Sequence, residues 1–174
     1  MRATLSAALC LLLLQTGCSD DMKWSAVERL INTNYPDTPT ITTDSLADRL
    51  ADSTAAQPLL LDARSPDEFA VSHLPAARRI DPDAEAYPAL DSLAADAPIV
   101  VYCSVGYRSA GVVQRLRAQG FSEASNLRGS IFRWANEGRT VVRDSEAVRQ
   151  VHPFDATWGQ LLEEDLRAYE PSGS

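Results

Sequence analysis

Short, uninterrupted apolar runs alternate with amphipathic stretches along most of this chain. Leu59-Leu60-Leu61 and Ile99-Val100-Val101-Tyr102 are such runs, as expected of strands buried on both faces. Ile41-Thr42, Arg78-Arg79-Ile80 and Ala124 to Leu127 read as further short strands. Thr43 or Asp44 is placed to cap a helix that carries Leu46, Ala47 and Leu50 on one face. Ser65-Pro66-Asp67-Glu68-Phe69 is a marked helix start, with Ser65 at the cap, Pro66 in the first turn and Glu68 in the capping-box position. Helices are also predicted over Tyr87 to Ala95, Arg108 to Gln119 before Gly120, Ser130 to Asn136 before Gly138, and about Trp158 to Tyr169. Strands alternating with helices imply parallel pairing and right-handed crossovers. The predicted architecture is a three-layer α/β domain, a central, mostly parallel sheet with helices on both faces.

The N-terminal segment follows another rule. Arg2 precedes an uncharged run from Leu5 to Leu14 and then Gln15-Thr16-Gly17-Cys18, which reads as a secretory signal over residues 1–17. A spanning helix needs about 20 apolar residues, roughly twice what this run supplies. Residues 18–39 read as a tether with one amphipathic stretch, Trp24 to Ile31, that packs on the domain, broken by Asn32-Thr33-Asn34-Tyr35-Pro36. Residues 40–148 form the domain and residues 149–174 a C-terminal extension.

At 174 residues with 45% apolar content, the chain suffices for one domain with a core once the leader is gone. Its formal charge is already -8, and loss of Arg2 takes it one unit further negative. Such a surface repels nucleic acid and has no affinity for anionic lipid head groups.

Cys103 stands directly after the clearest strand and before a helix, where open α/β sheets place their ligands. If Ser104-Val105-Gly106-Tyr107-Arg108 curls around the sulfur, backbone N–H groups and the positive end of the following helix stabilise a thiolate. Gly106 permits the backbone angles of such a cradle. The Arg108 guanidinium suits an anionic substrate at the rim, and Tyr107 lies at the mouth. Read blandly, Cys103 is a small core residue.

This loop resembles the active-site loop of the rhodanese family, and the resemblance runs from about Thr40 to Val142. Leu61-Asp62-Ala63-Arg64 with Asp67-Glu68-Phe69, then His73-Leu74-Pro75-Ala76-Ala77, then Leu127-Arg128-Gly129-Ser130-Ile131-Phe132-Arg133-Trp134, are similar to the family's other signatures and come in its order. The resemblance implies a rhodanese-like fold and a single-domain sulfurtransferase. Cys103 would hold a sulfane sulfur as a persulfide, and Ser104, Val105, Gly106, Tyr107 and Arg108 would bind substrate. The family's loop spans six residues, as here from Cys103 to Arg108, whereas related phosphatases use seven; the seventh position here is Ser109. Ser104 stands where thiosulfate-using members carry Arg, and Ala76 where the family has Gly. A small sulfur donor and a thiol or cyanide-like acceptor are the implied partners, with no metal, no organic cofactor and a monomeric chain. The alternatives are a non-enzymatic binding or redox-sensing module and, less in keeping with the loop, a phosphatase or arsenate reductase.

Thr16-Gly17-Cys18 in turn resembles the end of a bacterial lipobox, although Gln15 replaces the usual aliphatic residue. That implies lipidation of Cys18 and a lipid-anchored periplasmic protein. Ser19 after the cysteine favours the outer membrane. With Cys10 lost and Cys18 acylated, Cys103 is the remaining thiol and no intradomain disulfide can form. His73, Asp62, Arg64, Phe132, Trp134 and Trp158 are expected to serve structure, and His152-Pro153-Phe154 to turn the tail back onto the domain.

Overall fold

A computed structural model of the chain describes residues 6–171. The remaining ends, including the basic start of the leader and the last residues of the extension, lie outside the described residues. A five-stranded sheet in the order β1-β5-β4-β2-β3 forms the centre, with β1 at Thr40–Ile41, β2 at Leu59–Asp62, β3 at Arg78–Arg79, β4 at Ile99–Tyr102 and β5 at Ala124–Leu127. Every pairing in it is parallel.

The two faces of the sheet carry separate cores. Along β2 and β4, Leu60, Val100 and Tyr102 point into one, while Leu61, Ile99, Val101 and then Cys103 point into the other. This alternation on a strand covered from both sides is why β2 and β4 read as unbroken apolar runs. The first core is closed by α1 (Ser6–Asn34), α2 (Thr43–Ala51) and α5 (Ser130–Asn136), through Val27, Ile31, Leu46, Ile131 and Phe132. The second is closed by α4 (Tyr107–Ala118), through Val112, Val113 and Leu116.

Local signals set several boundaries. The cap of α2 is Thr42, one residue before the predicted position, because its extended backbone lets Oγ1 accept from Ser45 N at 3.1 Å. The short helix α3 (Pro66–Val71) carries the predicted capping box: Glu68 N donates to Ser65 Oγ and Ser65 N to Glu68 Oε2. Ala76 sits at φ 60° and Gly120, past the end of α4, at φ 102°.

Three of the predicted segments differ from the sequence reading. The amphipathic stretch Trp24 to Ile31 is the domain-facing part of α1, a helix of 29 residues that runs back through the segment read as leader and stops just before Pro36. No helix among the described residues is long and apolar enough to cross a membrane. The helix predicted over Tyr87 to Ala95 is a single 3-10 turn, Pro88–Leu90, because Tyr87, Leu90 and Leu93 recur every third residue and face the same core in that geometry. The C-terminal helix predicted from Trp158 is instead two 3-10 turns, Trp158–Leu161 and Glu164–Leu166. Pairing with Val151 pulls its end into extended chain: Val151 N donates to Leu166 O and Ala168 N to Val151 O.

A hairpin of β6 (Val141–Arg143) and β7 (Glu146–Val148) has no counterpart in the sequence reading. Asp144 and Ser145 both hold positive φ in its two-residue turn, a conformation normally announced by glycine. Without glycine the turn left no sequence signal.

Candidate active site

Since β4 is the middle strand, Cys103 emerges at the centre of the sheet's carboxyl edge, flanked by β2 and β5. The loop from Cys103 closes on itself at Gly106, whose φ of 109° is left-handed. That conformation turns the Gly106 N–H back to donate to Cys103 Sγ at 3.1 Å. The chain then enters α4, so its positive end lies at the sulfur.

The loop is held from behind. Ser130 Oγ accepts from Cys103 N at 3.1 Å, Ile131 N donates to Cys103 O, and Phe132 N donates to Ser104 O. Asn126 Nδ2 donates to Gly106 O at 3.0 Å, which leaves Asn126 Oδ1 facing Ser109. The Ser109 hydroxyl is 2.7 Å from that oxygen and 3.5 Å from Cys103 Sγ. Its one proton cannot serve both, and the shorter contact takes it, so the Gly106 amide is the firmer donor to sulfur.

Cys103 is only 1% exposed. Burial pushes its thiol pKa up, but the Arg108 charge and the hydrogen bonds around the sulfur, those of the Ser109 and Gly106 amides among them, outweigh that, leaving it below the ordinary value. Arg108 reaches towards the sulfur while its guanidinium is paired with Glu68. Nη1 donates to Glu68 Oε2 and Nη2 to Oε1, both at 2.8 Å, and Nη2 also reaches Ser104 Oγ at 2.9 Å. Ser104 Oγ donates to Glu68 Oε1 at 2.8 Å. Burial works to raise the Glu68 pKa, but Arg108, Ser65 N and Ser104 together bring it down to about 2. The guanidinium expected to meet an anionic substrate is thus already paired with a buried carboxylate.

A cavity of about 110 Å³ opens onto the sulfur, lined by Cys103, Ser104, Val105, Tyr107, Arg108, Phe154 and Trp158. All six residues singled out from Cys103 to Arg108 therefore either line this cavity or, as Gly106, shape it. Tyr107 stands at its side, edge-on to Tyr35 with ring centres 5.2 Å apart. Phe154 and Trp158 enter from the extension. Sequence reasoning gave neither any chemistry, and only a contact between distant segments reveals them. Glu68 was visible as a capping residue, but its link to Arg108, 40 residues away, was not.

The remaining candidates serve the frame. Arg64 and Asp62 are both fully buried and paired with each other at 2.7 Å, and Arg64 also donates to Ser72 O; neither meets the cavity. His73 stacks on Phe69 and exchanges backbone hydrogen bonds with Val142. Phe132 and Trp134 are buried in the first core. Among the described residues no cluster of acidic, histidine or cysteine side chains is placed to hold a metal. Cys18 lies within the span of α1.

The profile of the Rhodanese-like domain family matches residues 42–137, more than half of the chain. A protein named sulfurtransferase from Allochromatium vinosum is 35% identical over 102 residues, covering 59% of this chain and 92% of that one. The thiosulfate sulfurtransferase GlpE of Pseudomonas aeruginosa is 33% identical over 104 residues, covering 58% of this chain and 78% of that one. Among solved structures, the rhodanese-like domain protein from Staphylococcus aureus superposes with a TM-score of 0.52 at 32% identity, covering 62% of this chain and 99% of that one.

Proposed function

The chain belongs to the rhodanese-like domain family, with relatives named as sulfurtransferases, and on that premise we propose that it moves a sulfane sulfur through a persulfide on Cys103 to a thiol or other nucleophilic acceptor. The observation that carries this reading is the closure of the loop on sulfur. Gly106 N–H donates to Cys103 Sγ at the head of α4, with only four residues between Cys103 and Arg108. The turn is sized for one or two sulfur atoms, and its amide and helix end favour the thiolate, the form that attacks.

In the first half-reaction the thiolate attacks the outer sulfur of the donor. A bond forms between Sγ and that sulfur, the donor's own bond to it breaks, and the electron pair leaves with the donor. In the second, an acceptor thiolate attacks the outer sulfur of the Cys103 persulfide, and the electron pair returns to Sγ. Nothing is oxidised or reduced overall. The negative charge that passes between Sγ and the outer sulfur stays beside the Gly106 amide throughout.

Intact-protein mass spectrometry after exposure to thiosulfate, a polysulfide or an organic persulfide tests this. The expected result is a gain of one sulfur atom, absent in Cys103→Ala and discharged by added thiol; no gain with any donor sinks the reading.

We also propose that the reaction takes place in the cell envelope, on a protein released from its leader before Cys18 and lipidated there. The support is the run Leu5 to Leu14 followed by Thr16-Gly17-Cys18. Metabolic labelling with a fatty acid should mark the wild-type protein and not Cys18→Ala; equal labelling of both would end this part of the reading.

A further inference from the structure

Phe154 is held where neither packing nor backbone preference would put it. Its φ is 66°, a left-handed conformation that is unusual for a bulky residue, and its side chain is 43% exposed. The segment around it is nevertheless firmly fixed. Val151 is buried and paired with Leu166, and Asp155 Oδ1 accepts from both Thr157 N and Trp158 N at 2.8 Å. Asn136 holds Leu161 O and Glu163 N. This frame sets the Phe154 ring over the Arg108 guanidinium, 4.8 Å from its centre, and brings Trp158 to the same cavity.

The consequence is a site without an unpaired cationic side chain. Among the described residues lining the cavity Arg108 is the only cation, its charge is already paired with the Glu68 carboxylate through both terminal nitrogens, and the Phe154 ring stacks against it. The other walls are Val105, Tyr107 and Trp158 around a buried sulfur. An inorganic dianion entering here would shed water with no unpaired cation to replace it. At about 110 Å³ the cavity is also well below the roughly 300–1,000 Å³ of sites that engulf a small molecule, so only the tip of a substrate enters.

We propose that Phe154 and Trp158, from the extension beyond the family match, form a specificity-determining wall that selects donors and acceptors whose sulfur ends a slim, uncharged organic chain, over inorganic oxyanions. The substrate class rests on the sulfur-transfer function above. The donor is then an organic persulfide, R–S–SH. Cys103 thiolate attacks its outer sulfur, the S–S bond to R–S breaks, R–S⁻ leaves, and Cys103 carries S–SH with the proton retained.

The test uses the full chain and two pairs of probes. Iodoacetamide and iodoacetate reach a thiol alike but differ in charge, so their rate ratio at Cys103, read by peptide mass spectrometry and set against free cysteine, reports the wall without sulfur transfer. An alkyl persulfide and thiosulfate report it during sulfur transfer. Wild-type protein should favour the neutral member of each pair. Phe154→Gly relieves the left-handed backbone while removing the ring, so it should fold with an unchanged or raised melting temperature. Both ratios should nevertheless fall roughly five- to tenfold, the size expected of one aromatic–cation contact at a partly exposed site. Phe154→Leu, which keeps apolar bulk, should retain part of the preference. Unchanged ratios in Phe154→Gly overturn the wall. Failure of wild-type Cys103 to take sulfur from either donor overturns the substrate class together with the function it rests on, and the alkylation ratio tells the two failures apart.

Discussion

Replacing Glu68 with glutamine should loosen the fold and sharpen the thiol at once, because this carboxylate neutralises Arg108 beside the active-site loop. Its side chain is 2% exposed and accepts from Ser65 N, Ser104 Oγ and both terminal nitrogens of Arg108. A carboxyl pKa lowered from 4.5 to about 2 corresponds to about 3 kcal/mol of stabilisation near neutral pH at about 1.4 kcal/mol per unit. Arg108 is 26% exposed, so solvent screening brings the expected loss in Glu68→Gln to about 2 kcal/mol. For a chain of this size that is a fall in melting temperature of roughly 4–8 °C.

The pH dependence gives the sharper check. Glu68 has a depressed pKa in the folded state, so its contribution is fully present above about pH 4.5 and disappears as pH falls towards 2. The stability gap between wild type and Glu68→Gln should therefore be constant near neutrality and close over that acid window. At the same time Arg108, relieved of its counter-charge, should lower the Cys103 thiol pKa further, shifting the pH profile of iodoacetamide alkylation to lower pH. Urea unfolding across pH and thiol alkylation measure the two effects. A Glu68→Gln protein as stable as wild type at pH 7, or one whose thiol titrates higher, would refute the reasoning.

Gly106→Ala should cost about 1–2 kcal/mol, since alanine at φ 109° is strained, and should raise the Cys103 thiol pKa by moving the N–H that donates to sulfur. Denaturant unfolding and the alkylation pH profile read these out. The converse holds at Ala76, where φ is 60°: Ala76→Gly removes left-handed strain at some cost in unfolded-chain entropy, for a net gain of up to about 1 kcal/mol. It should raise the melting temperature and leave alkylation of Cys103 unchanged.

How much of this was legible in the chain depended on the range of the interaction. Ile99 to Tyr102 announces a central strand because burial on both faces demands apolar residues at every position, and Ser65 and Glu68 announce a cap because both partners lie within one turn. The position of Cys103 at a strand end, and the six-residue spacing to Arg108, are equally local. Tyr87 to Ala95 misled because a third-residue spacing of apolar side chains suits either helix type, and packing on the second core selected the tighter one. Only the tertiary structure decided that Arg108 faces Glu68 instead of open solvent, that Ser109 divides its reach between Asn126 and sulfur, and that Phe154 and Trp158 overhang the cavity. A nucleophile set by strand, turn and helix is written in consecutive residues. The charge balance and walls around it come from Glu68, Phe154 and Trp158, 35 to 55 positions from Cys103 in the chain, and side chains that meet only after the sheet closes leave no periodicity to read.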